Sequence, residues 1–310
     1  MEINNPPSTG SGGTLPTTFN DGSNSLFLAQ TATTPAANLL TPITVDRAEL
    51  MLGIIDPEGD TTPLAPHWAF KNVGYCASYG NTTSAPNLTT GSYRTLTALG
   101  TVTARTYNTG SLYNQSRRSG YVSAAAAGSL SGLYGVTGML AISEGSGRGG
   151  FLKMTRFAIS DAAVVAGARM FVGISSVTVA PTNVAPSTLT ASIGVGHSNG
   201  DTTLKFYYGG TSAQTPIDLG ANFPVNTTNT DVYELVMYSS PTIANKLFYR
   251  VTRLNTGDVA SGTIDDTASP GTKIPAATTR LVHLRMWRTN NATASAVGLD
   301  FLSDYFDSNI

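Results

Sequence analysis

The chain has 310 residues, with 18 Lys or Arg against 19 Asp or Glu and a net charge of −1. That balance lacks the basic footprint of a nucleic-acid-binding protein and offers no attraction to an anionic membrane surface. Only 12% of residues are charged while 41% are hydrophobic, so the polar surface is built from Thr, Ser, Asn and Gly, and the chain is too apolar to be disordered.

Residues 1–42 are dominated by Asn, Pro, Ser, Gly and Thr, with one apolar patch at Leu26, Phe27 and Leu28. Such a segment forms no core of its own and is expected to be either a disordered tail or an extended arm that orders against a partner. Its opening, MEINNPPSTGSGG, has neither a basic nor an apolar region of the kind a secretory leader needs, so none is expected. No apolar run approaches the roughly 20 residues of a membrane span, so membrane insertion is not expected.

Residues 43–149 read as a smaller, mostly β region. Arg47 to Ile55 is a helix or buried strand, too short for its period to decide. Asp56, Glu58 and Asp60 in DPEGD partly echo a calcium loop, but no Glu stands at the twelfth position and the Pro and Gly mark a turn. His67 and Trp68 fall in an aromatic strand-like segment, and Cys76, the single cysteine, excludes both an intramolecular disulfide and a cysteine cluster for a metal. Thr95 to Tyr107 alternates as a strand, Tyr113 to Arg118 is a polar turn, and Ala124 to Ala127 is long enough for one helical turn.

Gly145, Gly147 and Gly150 fit G-x-G-x-x-G, yet the run that follows, Phe151 to Ile159, is rich in strand formers where a dinucleotide site needs a helix. The glycines are therefore read as a hinge, and no cofactor is expected. Beyond it, Met170, Val172 and Ile174 share one face, and the alternation recurs at Leu204–Phe206–Tyr208, Tyr233–Leu235–Met237, Leu247–Tyr249–Val251, Val282–Leu284–Met286 and Val297–Leu299–Phe301. Turn clusters such as Ser198-Asn199-Gly200-Asp201 and Asn255-Thr256-Gly257-Asp258 separate the runs. The fold class is all-β, an antiparallel sandwich over 150–310.

Catalysis has little to draw on. His67, His197 and His283 stand far apart in no metal-ligand spacing, and no G-x-S-x-G elbow occurs. Asp300, Asp304 and Asp307 cluster, with alternation placing Asp300 and Asp304 on the polar face of their strand, so no catalytic or metal residue is assigned. A sandwich suits sugar binding, through aromatic rings that stack and amides that bond hydroxyls. The candidate contacts are Tyr207, Tyr208, Trp287, Arg288, Asn290 and Asn291.

The segments RRSGYVSAAAAGSL, FAISDAAVVAGARMFVGISS, APTNVAPSTLTASIGVGH, DVYELVMYSSP, YRVTRLNTGDVASGTI and RTNNATASAVGLDFLSDYF resemble bacteriophage and prophage virion structural proteins, often tail or tail-fibre proteins, over roughly Arg117 to Ile310. The resemblance implies a jelly-roll or concanavalin-like C-terminal sandwich, a non-enzymatic role in the virion tail and recognition of a host surface glycan. It also implies a homotrimer, made in the host cytoplasm, whose arm over 1–42 docks on tail or portal-region proteins. A capsid decoration or head-fibre protein is the alternative, and a polysaccharide depolymerase a more distant one.

Overall fold

The computed structural model describes residues 18–20, 25–27, 71–78, 96–146, 148–225 and 228–309. The chain forms two compact units, Met1–Pro66 and His67–Ile310. In the first, β1 (Thr18–Asn20) pairs antiparallel with β2 (Ser25–Phe27), Thr18 opposite Phe27. The rest of the expected arm, the Arg47–Ile55 element, the DPEGD turn, and His67 with Trp68 lie outside the described residues.

The second unit holds β3 (Lys71–Ala77), β4 (Thr97–Leu99), β5 (Thr101–Thr103), β6 (Ser119–Val122), β7 (Leu130–Tyr134), β8 (Gly138–Leu140), β9 (Phe151–Ile159), β10 (Arg169–Ser175) and β11 (Ser192–His197). It continues through β12 (Lys205–Gly209), β13 (Ile217–Asp218), β14 (Val232–Ser239), β15 (Lys246–Arg253), β16 (Asp258–Asp265), β17 (Leu281–Thr289) and β18 (Gly298–Asn309). Among the described residues an α-helix of four residues, α1 (Leu112–Gln115), is capped by the Ser111 hydroxyl and stands where a polar turn was expected.

The strands form two antiparallel sheets of eight. The first runs β13-β12-β11-β10-β17-β7-β4 with β8 also on β17, and the second β16-β15-β14-β9-β18-β6-β5 with β3 also on β18. Alternation explains the layering: Met170, Val172, Ile174, Phe206, Tyr233, Leu235, Met237, Leu247, Tyr249 and Val251 all enter one core between the sheets. This is the antiparallel sandwich the sequence predicts.

Its extent differs from the expectation. β6 and β3 pair with β18, and β7, with β8, pairs with β17, so strands before residue 150 are built into the same two sheets. The predicted boundary at residue 150 therefore falls inside the sandwich. The glycine hinge is likewise a packed β8–β9 connection: Gly149 N–H donates to Asn309 O at 2.8 Å and Gly150 N–H to Ala141 O at 2.9 Å. Gly150 has φ +86, and a Cβ there would lie 2.8 Å from Ser239 O, so glycine is required by both conformation and space. Ala124 to Ala127 form an exposed turn and not a helix.

Two bulges redirect polar side chains. Along β17, Gly173 faces Arg285 but Ser175 faces Val282, so three residues of β17 span two of β10 and His283 turns into the interior, 5.2 Å from the Phe306 ring. Along β18, the register slips between Phe301 and Ser303. Leu299 and Phe301 face the core before the slip, and Phe306 faces it afterwards together with Asp304. Asp300 and Asp304 thus lie on opposite faces, not on the single polar face that strict alternation predicts.

Candidate binding face at the loop-bearing end

Register fixes which loops meet. Arg169 opposes Thr289 and Met170 opposes His197 in the first sheet, while Val232 opposes Ala158 and Leu299 opposes Ile159 in the second. Since 160–168 links β9 to β10, these strand ends share one end of the sandwich. Segments 123–129, 160–168, 198–204, 219–225, 228–231 and 290–297 converge there.

A buried ionic base holds them. Asp161 accepts from Arg288 Nε at 2.9 and 3.1 Å, from Arg288 Nη2 at 2.5 Å, and from the Gly298 amide at 2.7 Å. Arg288 Nη1 donates to His197 Nε2 at 2.6 Å, which fixes the proton on Nδ1, 3.3 Å from Ser198 O. Burial first, and the Arg288 charge second, push the His197 imidazole down to about 3, so it is neutral at ordinary pH. Asn290 Nδ2 donates to Ala124 O, Ala126 O and Ser295 O at 3.3, 2.9 and 2.8 Å, tying two loops together.

On the outer face of the second sheet, Asp300 is sealed at the same end. Arg105 grips both its oxygens at 2.9 to 3.2 Å, Arg118 Nε lies 3.5 Å away, Tyr113 Oη reaches Oδ2 at 2.9 Å and Ser160 Oγ donates to Oδ1 at 2.5 Å. Arg118 also stacks over the Tyr113 ring at 4.1 Å. Asn229 Nδ2 reaches Asp161 O at 3.2 Å, and its Oδ1 lies 2.8 Å from the Tyr113 hydroxyl, which joins the two networks. Asp300 is consumed by structure, and Asp304 lies in the core, so the two do not share a cleft as a glycosidase pair must. Among the described residues no three His, Cys, Asp or Glu side chains come together to hold a metal.

The predicted sugar contacts divide sharply. Trp287, Tyr207, Arg288 and Asn290 expose 1, 3, 0 and 0% of their surface, and a ring with no exposed face stacks on no sugar. Their burial has a local cause. Phe171, Tyr207 and Trp287 form a cluster on the outer face of the first sheet, and the β10–β11 connection over 176–191 folds across it, packing Val184 and Leu189 on the rings. Arg285 pins this cover by donating from Nη1 to Val177 O at 2.9 Å and Val179 O at 2.8 Å. Tyr207 Oη meets Asp201 Oδ2 at 3.0 Å and Ser198 Oγ at 3.2 Å. Burial raises the Asp201 carboxyl, but bonds from Lys205, the Ser198 amide and Tyr207 outweigh it and hold it below the usual carboxylate range.

Tyr208 and Asn291 remain half-buried. Asn291, at φ +53, carries its amide onto the surface, where Oδ1 meets Asn183 Nδ2 at 3.4 Å. Asn183 Oδ1 in turn accepts from Thr289 Oγ1 at 3.2 Å and Arg169 Nη1 at 3.4 Å. Bonds this long are weak, so the Arg169, Asn183 and Asn291 side chains keep hydrogen-bonding capacity for a ligand. Arg169 and Asn183 are absent from the predicted contacts. Arg169 is legible only as a polar residue at a strand end, and Asn183 sits in a loop whose path the sequence does not reveal.

No protein-family model matches the chain, and no curated protein matches it. Solved structures do. Arcelin-5, a lectin-like defence protein from Phaseolus vulgaris, aligns at 10% identity and a TM-score of 0.46 over 77% of this chain and 98% of its own. A protein of unknown function from Shewanella oneidensis MR-1 aligns at 15% and 0.45 over 83% and 96%. The CBM2 module of the evolved Dit of Lactobacillus casei BL23 phage J-1 aligns at 14% and 0.40 over 77% and 98%.

Proposed function

We propose that the chain is a non-enzymatic bacteriophage virion structural protein, a tail-fibre or tail-appendage subunit whose sandwich recognises a host surface glycan. The observation that carries the binding role is the half-exposed Arg169–Asn183–Asn291 cluster, standing on loops that Asp161, Arg288 and Asn290 hold rigidly from below. Preorganised amides and a guanidinium suit sugar hydroxyls, because little side-chain freedom remains to be lost on binding. The virion assignment is supported by the sequence resemblance over Arg117 to Ile310. It includes assembly as a homotrimer, localisation in the tail and docking through residues 1–42.

Binding of the full chain to an array of bacterial surface polysaccharides tests the recognition role. At least one polysaccharide is expected to bind, and the Arg169→Ala, Asn183→Ala double variant is expected to bind it about tenfold or more weakly, as loss of a charge-assisted hydrogen bond implies. Undiminished binding by that variant overturns the site, and release of oligosaccharides overturns the non-enzymatic reading. Immunogold labelling of virions at the head and not the tail overturns the appendage role.

A further inference from the structure

The core of the sandwich contains a lysine and an aspartate where hydrophobic side chains are the rule. Lys153 on β9 and Asp304 on β18 are both 0% exposed, and the Lys153 Nζ meets Asp304 Oδ1. Their placement follows from register: Lys153 opposes Phe306 and Thr155 opposes Asp304, so the two are diagonal neighbours on the inward face of adjacent strands. The bulge after Phe301 is what turns Asp304 inward. Thr155 sits between them, its hydroxyl accepting from Lys153 Nζ at 2.8 Å and donating to Asp304 Oδ1 at 2.7 Å. Cys76 on β3 opposes Asp304, and Phe306 and the neutral His283 complete a dry surround.

The geometry points to an autocatalytic amide cross-link between Lys153 Nζ and Asp304 Cγ, formed on folding. Two features favour it over a permanent ion pair. Burial holds the Lys153 amine well below the ordinary lysine range, and two charges desolvated together are costly unless further polar groups satisfy them. The neutral pair, amine with carboxylic acid, is also the reactive pair. Thr155 supplies the path to it, since a proton passed from Nζ to the threonine oxygen and on from its hydroxyl to Oδ1 neutralises both groups at once.

The Nζ lone pair then attacks Cγ. A nitrogen–carbon bond forms, one carbon–oxygen bond breaks, and the hydroxyl leaves with a proton from Nζ as one water molecule. Nothing is oxidised or reduced, and no co-reactant is consumed. Condensation that fails between free groups in water gains here from fixed approach, for which effective molarities of roughly 10⁵ M or more are known. The product staples the two central strands of the second sheet and closes a covalent ring containing β10 to β17.

Intact-mass spectrometry of the purified full chain under denaturing conditions is the test. The expected mass is below that of the sequence by one water, about 18 Da, with a peptide digest showing the Lys153 and Asp304 peptides joined. Asp304→Asn is expected to lose ammonia in place of water, about 17 Da, because an amide is also an acceptor for the amine. The Lys153→Met, Asp304→Leu double variant replaces the pair by apolar groups that such a core tolerates. It is expected to fold and to show its full sequence mass. A folded wild-type chain at full sequence mass overturns the proposal, as does an unchanged deficit in the double variant.

Discussion

Replacing Asp161 by Asn tests whether the loop-bearing end rests on a buried ionic base. Asp161 is 1% exposed and accepts every hydrogen bond of the Arg288 guanidinium except the one to His197, together with that of the Gly298 amide that starts β18. The amide removes the charge and turns an NH₂ toward one of these donors. Breaking a buried pair in this way costs about 3–5 kcal/mol, because the remaining ion is left uncompensated. Against a total stability of roughly 5–15 kcal/mol, that is a large fraction. At about 3 kcal/mol per molar urea, the equilibrium midpoint falls by about 1 to 1.7 M. Adding Arg288→Met is expected to restore much of the loss, since it removes the orphaned charge. Urea titration followed by circular dichroism measures all three chains. A single-variant loss under about 1 kcal/mol, the value of an exposed pair, refutes the reasoning.

Three further outcomes are expected. His197 and His283 are both held down to about 3 by burial, against 6.5 for the free imidazole, so the unfolded chain takes up protons that the folded chain refuses. Stability is therefore complete above about pH 6.5 and falls toward pH 3, by about 1.4 kcal/mol per pH unit for each histidine; a urea midpoint that is flat between pH 7 and 5 contradicts this. Arg285→Ala frees the cover over Trp287, and in a Trp68→Phe background, where Trp287 is the remaining indole, its emission is expected to shift to the red and become quenchable by iodide. Gly150→Val forces a β-branched residue to φ +86 beside Ser239 O, with an expected cost of at least 1–3 kcal/mol in thermal unfolding.

The sandwich was legible because its strands alternate cleanly: inward residues such as Tyr233, Leu235 and Met237 are apolar and their neighbours are not. β16 was not legible, since this edge strand carries mostly polar or small residues and its inward face offers only Ala260 and Ile264 as apolar side chains. The bulges were equally hidden. Each inserts one residue without a distinctive side chain, yet they decide that His283 and Asp304 face the core and Asp300 does not. Aromatic residues on an outward face, Tyr207 and Trp287, read as an open platform because nothing in 176–191 announces that it folds back over them. The Arg169–Asn183–Asn291 cluster joins residues from three separate loops and strand ends, a proximity created only by the tertiary fold.

The position of β18 sets the order in which this molecule can mature. β18 lies in the middle of its sheet, between β9 and the pair β3 and β6, and it follows every other described strand in the sequence. Until it emerges from the ribosome, β9 presents an unpaired edge and the partners already made have nothing to close around. Pairings so distant in sequence make for slow closure and a long interval of exposure to self-association. Protection of that open edge during synthesis is therefore expected to limit production of this chain, with soluble yield rising with chaperone supply or lower temperature.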